Sequence, residues 1–269
     1  MKIDEATGAV LWTNVYGGSN LDFASDVVLS NDKKVYYTAG FTLSNDRDVL
    51  NKNHGGDSNT ADGWIFSTDL DGNLLHSECY GGSLHDYFMG IHPLPDGNLI
   101  IAGSTVSNDG QIPPSKHGSA GSSDVWFLKV DPNLNILDNK CFGGSKDDYA
   151  VSIRDDNSGN YYLLGSTASN NGDVSFNHGN DAGTLDVWLV KLTSAGGIIW
   201  ERTYGGSADD VGYRFGKSEY STSLTNGYII GETSSVNGDV TNQHGLTDAW
   251  IVELQKLPIE GEWNQYMTF

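Results

Sequence analysis

The sequence predicts an all-β fold in which four copies of one unit, each of four short antiparallel strands, stand side by side. Three observations predict it. Asp-x-Trp appears at Asp62/Trp64, Asp124/Trp126, Asp186/Trp188 and Asp248/Trp250, so the tryptophans recur every 62 residues. An aromatic-Gly-Gly-Ser signature recurs in step, ending at Ser19, Ser83, Ser145 and Ser207. No apolar pattern of period 3.6 persists for three turns, so amphipathic helices drop out of the reading. A period this strict marks a repeat architecture, in which a single unit cannot bury its apolar face alone.

Each unit justifies its strands in the same order. Tyr149-Ala-Val-Ser-Ile-Arg154 and Tyr161-Tyr-Leu-Leu-Gly-Ser-Thr167 flank the turn cluster Asp155-Asp-Asn-Ser-Gly159, which reads as a hairpin. A long polar loop rich in Asn, Asp and Gly follows, carrying one His-Gly. The Trp strand Asp186 to Leu192 comes next, and a turn at Thr193 to Gly197 returns the chain as Ile198 to Tyr204. The other inner strands are Phe23 to Leu29, Tyr87 to Ile91 and Val211 to Phe215; their partners are Val35 to Thr42, Asn98 to Thr105 and Gly227 to Thr233. The fourth unit inserts about four residues near Glu219 to Leu224 and loses about four before Asp248, both in loops where length changes cost little.

Four-stranded antiparallel units repeated radially make a β-propeller, here of four blades. Lys2-Ile3-Asp4 through Val10-Leu-Trp12 matches Lys191 through Trp200, so the chain enters at the tail of a unit. Val10 to Tyr16 is therefore expected to supply the outer strand missing from the last unit and close the ring. The tail Leu257 to Tyr266, with Trp263 thirteen residues after Trp250, competes for the same slot, but its signature is degraded whereas Tyr16-Gly-Gly-Ser19 is intact. The expected organisation is one propeller over 1–256, with repeats near 20–83, 84–145, 146–207 and 208–256, a closing segment 1–19 and a tail 257–269.

The formal net charge is −20, with only 15 basic residues. That argues against nucleic acid and anionic membrane surfaces, which need clustered Lys and Arg. No run of about 18 apolar residues exists to insert into a membrane. Cys79 and Cys141 occupy equivalent positions in neighbouring units, so they are expected as two separate, packed thiols. Met1-Lys-Ile-Asp lacks the apolar region of a signal peptide. A monomer, or a module of a longer chain, is expected.

Tyr204-Gly-Gly-Ser, Asp148-Tyr-Ala-x-Ser-Ile, Leu163-Leu-Gly-Ser-Thr, Ser169-Asn-Asn-Gly-Asp-Val, Asn177-His-Gly and Asp186-Val-Trp-Leu-Val-Lys-Leu resemble repeats of secreted, propeller-like proteins of the Bacteroidetes. Such proteins are often exported by the type IX route and are adhesin-like. The resemblance covers nearly the whole chain and implies an extracellular or cell-surface setting, with no shared catalytic residues. The strand logic also looks like kelch repeats, although the kelch Gly-Gly after the second strand is absent.

The candidate functional residues lie in the long loops: His54, His117, His178 and His244, with Asp46, Asp48, Asp109, Asp173 and Asp239. Loops on a rigid scaffold are where binding residues concentrate, and equivalent loops should share one face of the disc. Asp69, Asp71 and Asn73 are candidate calcium ligands on a tight turn, though turns use the same residues without a metal. The conserved spacing gives Trp64, Trp126, Trp188, Trp250 and Tyr16, Tyr80, Phe142, Tyr204 a packing role between units. Asp62, Asp124, Asp186 and Asp248, and likewise Asp22, Asp86, Asp148 and Asp210, read as acceptors for backbone N–H groups. One identical carboxylate per unit does not supply the two unlike roles of an acid–base pair. No nucleophile elbow, phosphate loop, His-Glu-x-x-His or Cys-x-x-Cys occurs. The expected function is non-enzymatic binding or adhesion, with a glycan or protein partner. A glycoside-active enzyme and a structural spacer are the alternatives.

Overall fold

The structure, a computed structural model, describes residues 1–49, 59–119, 121–179, 183–217 and 227–254. Strands β1 (Lys2–Ile3) and β2 (Val10–Trp12) form a small sheet at the N-terminus. The first unit follows as β3 (Asp22–Leu29), β4 (Val35–Thr42), β5 (Asp62–Asp69) and β6 (Leu74–Tyr80). The second is β7 (Asp86–Pro93), β8 (Leu99–Thr105), β9 (Asp124–Val130) and β10 (Ile136–Phe142). The third is β11 (Asp148–Asp155), β12 (Tyr161–Thr167), β13 (Asp186–Leu192) and β14 (Ile198–Tyr204). The fourth has β15 (Asp210–Lys217), β16 (Gly227–Thr233) and β17 (Asp248–Leu254) among the described residues. In each unit the strands pair antiparallel in sequence order, as an up-and-down meander.

The repeat in sequence is a repeat in register. Gly40, Gly103, Gly165 and Gly231 stand opposite Trp64, Trp126, Trp188 and Trp250. Glycine is required there by close approach: a Cβ on Gly40, Gly103 or Gly165 would fall 1.8 Å from the carbonyl oxygen of Phe23, Tyr87 or Tyr149. Each inner strand also carries an irregularity at the same place, between Ala24 and Asp26, Phe88 and Gly90, Ala150 and Ser152, and Gly212 and Arg214. Such bulges sharpen the local twist of the strand that carries them. Hairpin turns are held by their first aspartate. Asp69 accepts N–H groups from Asp71 and Asn73, and Asp131 and Asp156 do the same for their own turns.

The hydrophobic core lies between the units. One face of the first unit, with Tyr37, Ala39 and Ile65, packs on Ile91, Ile101, Trp126 and Leu128 of the second. Ala102 and Phe127 of the second meet Ile153, Leu163, Trp188 and Val190 of the third. Tyr162, Leu164 and Leu189 of the third meet Phe215, Ile229, Trp250 and Val252 of the fourth. Trp126, Trp188 and Trp250 thus pack between units as expected, whereas Trp64 packs with Val49, Phe66, Cys79 and Tyr16, and burial of each such ring contributes several kcal/mol in order of magnitude. The inner strands share one further cluster. The Asp26 carboxylate on β3 accepts the Ile91 N–H of β7 at 3.3 Å. It also stands 3.9 Å from Arg154 of β11 and 3.3 Å from Arg214 of β15. All four units therefore contribute to one place.

The N-terminal segment departs from expectation. Val10–Trp12 pairs with Lys2–Ile3 and not with the last Trp strand, so it does not complete the fourth unit. Its own hairpin takes it up: Lys2 stands opposite Trp12 as Lys191 does Trp200, across a turn in which Asp4 accepts the Thr7 N–H at 2.8 Å, while its end is anchored as an outer strand's is. Asn14 Nδ2 and the Tyr16 hydroxyl both donate to the Gly72 carbonyl, at 2.6 and 2.7 Å, and the Tyr16 ring meets Phe66 at 5.0 Å. Tyr80 bonds the Leu134 carbonyl of the second unit in the same way, at 2.6 Å. Tyr16 therefore fastens the chain to the first unit. The competing tail, 257–269, lies outside the described residues.

Candidate functional site

The Gly-Gly-Ser that leads into each unit is held by that unit's own polar residues. Asp22, Asp86, Asp148 and Asp210, at the start of the inner strands, accept the N–H of Gly18, Gly82, Gly144 and Gly206 at 2.7–2.8 Å. The same carboxylates accept the hydroxyls of Ser44, Ser107, Ser169 and Ser235. Asp46, Asp109, Asn171 and Asn237 in the long loops accept the N–H of Ser19, Ser83, Ser145 and Ser207 at 2.7–2.8 Å. Asp48, Gln111, Asp173 and Asp239 accept the N–H of the first glycine, at 3.1–3.3 Å. The five loop aspartates singled out by sequence are thus engaged with backbone donors.

The histidines extend this network across the seams. His178 Nδ1 lies 2.6 Å from Asp186 of its own unit, and its Nε2 lies 3.4 Å from Asp239 of the next. His117 stands between Asp124 at 3.8 Å and Asp173 at 3.6 Å. The backbone N–H groups of His117, His178 and His244 donate to Asp124, Asp186 and Asp248. His54 lies outside the described residues. His117 and His178 each keep to their own seam, His244 stays beside Asp248 of its own unit, and among the described residues no group of three or more His, Cys, Asp or Glu could hold a metal ion. Both oxygens of Asp69 are taken by its own turn, the second by the Asn73 side chain at 2.8 Å.

Burial dominates the electrostatics of the cradle. It raises Asp86 to about 6 against the stabilising hydrogen bonds of Thr105, Gly82 and Ser107. Asp124 is raised to about 7 and Asp186 to about 6 by the same cause, with the His117 and His178 N–H groups opposing it. The Asp186 and Asp210 Oδ1 atoms are buried without a hydrogen-bond donor among the described residues. By contrast, Asp69 is held below its ordinary value by the Asn73 side chain and backbone.

Sequence reasoning missed a second cluster. Phe23, 49% exposed, stacks on Phe41 with ring centroids 5.3 Å apart. Phe41 meets Tyr87 edge-on at 5.0 Å, and His85 stacks on Tyr87 at 5.8 Å. This row crosses from the first unit to the second beside Asp22 and Asp86, at the end of the sheets where the long loops begin. The signal was present as a break in the repeat. The register places Ser104, Ser166 and Glu232 where the first unit has Phe41.

Fold and cradle together define an all-β repeat protein of antiparallel four-stranded units, locked in series by their Gly-Gly-Ser crossings. No protein-family model matches the chain, and no curated protein matches it. Among solved structures it is similar to hydrazine synthase of Kuenenia stuttgartiensis, with a TM-score of 0.40 and 8% identity over 93% of this chain and 67% of that one. A protein of unknown function from Bacteroides caccae is similar with a TM-score of 0.34 and 12% identity, over 94% of this chain and 84% of that one. Likenesses this distant carry no functional argument.

Proposed function

We propose that the chain is a non-enzymatic binding module of an extracellular or cell-surface protein, built from propeller blades and holding a glycan on the face where the long loops emerge. The observation that carries this reading is the row Phe23, Phe41 and Tyr87. The shared scaffold needs a glycine or a buried tryptophan in every unit, but it needs no aromatic at Phe41, because three units fold without one. Aromatic rings with an exposed face and polar neighbours suit a sugar ring, whose apolar face stacks while its hydroxyls bond the rim. The loop carboxylates support binding over hydrolysis. Glycoside hydrolysis needs two unlike carboxyl groups facing one bond, and these repeat one role in every unit. Calcium stays outside the proposal, since Asp69 spends both oxygens on its turn.

The test is a glycan array with a hydrolysis screen run on every hit, using the wild type, Phe23→Ala and His178→Ala. Phe23→Ala should lose capture by about tenfold or more, equivalent to about 1.4 kcal/mol, with an unchanged melting temperature. His178→Ala should retain capture and lose stability. An array with no hits, or hits cleaved at a rate that survives Phe23→Ala, would sink the reading.

A further inference from the structure

The fourth unit exposes apolar positions that the middle units bury, and the first unit exposes one on its opposite face, although Trp64 and Phe66 of that face are buried with Val49 and Tyr16. Ile65, Phe127 and Leu189 occupy one register position on the face turned toward the following unit, and each is fully buried. Ile251 holds that position in the fourth unit and is 67% exposed. Its neighbour Ile230 is 48% exposed, where Leu164 is fully buried. The opposite face behaves likewise: Ile91 and Ile153 are fully buried, whereas Val27, at the same position in the first unit, is 57% exposed. Isolated apolar residues on a surface need no explanation, but Ile230, Ile251 and Val27 all hold positions of one repeating interface.

Among the described residues β17 pairs with β16 alone. A groove of about 370 Å³ opens beside Trp250, lined by Val240, Asn242, His244 and Val252. In the earlier units the Trp indole donates to a residue of the outer strand, as Trp126 does to Asn139. At the other end of the chain, Val10 and Leu11 of β2 are each 56% exposed, and β2 leads into the Tyr16-Gly-Gly-Ser19 that the first unit cradles. In units two to four, the strand before that signature is the outer strand of the preceding unit.

We propose that the uncovered face and strand edge of the fourth unit receive the first unit of a second copy of this chain, head to tail, with the incoming Val10–Trp12 laid along β17. Such an interface continues the three seams already present within the chain, with Ile230 and Ile251 meeting Val27 of the incoming copy. It is heterologous, so it propagates until the rotation closes. The charge of −20 on each copy opposes it, so added salt strengthens it.

Sedimentation equilibrium over about a hundredfold concentration range reads the outcome directly. The wild type should exceed the 29.0 kDa of one chain as concentration rises. Ile251→Glu and Val27→Glu should each remain at one chain while keeping the wild-type circular dichroism spectrum. Mixed in equal amounts, they should form a pair and stop there, because each retains the one face that the other lacks. If either variant misfolds, Ile230→Glu or Leu11→Glu replaces it on the same end. A wild type that stays monomeric throughout would overturn the proposal, showing that its own first unit or its 257–269 tail covers the face. A dimer that either single variant still forms would overturn it as well.

Discussion

The indole N–H of Trp188 donates to the Glu201 carboxylate at 2.9 Å, across the outer strand pair of the third unit and thirteen residues downstream. The other Glu201 oxygen accepts the Ser175 hydroxyl and, at 3.3 Å, its N–H. One side chain therefore ties the inter-unit tryptophan to the long loop. Trp64 with Ser77 and Trp126 with Asn139 repeat the spacing with shorter acceptors.

Replacing Glu201 with Ala strands a buried indole N–H and frees the loop. The cost of leaving such donors unmade is about 2–3 kcal/mol. Glu201→Gln keeps one acceptor and should lose about half as much. Urea unfolding of the two variants checks the order; equal losses would mean that the side chain acts by packing alone.

Gly143 adopts φ +152°, and a Cβ there would lie 2.4 Å from the Asp148 carboxylate that holds Gly144. Gly159 adopts φ +90° in open space. Gly143→Ala should therefore cost about 3 kcal/mol, from strain plus a displaced buried carboxylate. Gly159→Ala should cost about 1 kcal/mol, from backbone strain alone. Thermal melts of the pair separate crowding from conformation.

Asp86, Asp124 and Asp186 are raised to about 6, 7 and 6 by burial. A carboxyl raised in the folded state binds its proton more tightly there than when unfolded. Its contribution is complete below about pH 4 and is lost as pH climbs through 6 to 7. Asp69 and Asp131, held low by their turns, act oppositely and lose their contribution only in stronger acid. The melting temperature should thus be higher at about pH 5 than at pH 7.5. A melting temperature that rises steadily from pH 5 to 8 would contradict the burial argument.

Cys79 and Cys141 are buried and not joined in a disulfide, and burial pushes the Cys141 thiol far above its ordinary value. Neither should react with iodoacetamide in the native state at neutral pH, and both should react in guanidinium without added reductant. Mass spectrometry of the two samples decides it. A resistant pair after denaturation would indicate a disulfide and overturn the placement of the outer strands.

The 62-residue period carried much of the fold, because a repeat in side-chain size is a repeat in what each strand must bury. The turn at Asp155 to Gly159 and the inter-unit packing of Trp126, Trp188 and Trp250 were legible from spacing, whereas the glycine that faces each Trp, as Gly165 faces Trp188, emerged only from the register. The histidine and aspartate loops were legible as a set but not in their use. Asp46 and Asp109 look like rim ligands until the chain crossing brings Ser19 and Ser83 onto them, from 27 and 26 residues away. Only the tertiary structure decided that, since a hydrogen bond between a loop and the crossing before its sheet depends on how the meander folds back. It also decided the fate of Val10–Trp12. The sequence marked this segment as an outer strand, but a strand's partner is set by which edge lies within reach, and the Asp4 turn brings Lys2–Ile3 beside it. The exposure of Val27 and Ile251 was invisible for the same reason: both match their buried counterparts in kind, and only their positions at the two ends of the array leave them uncovered.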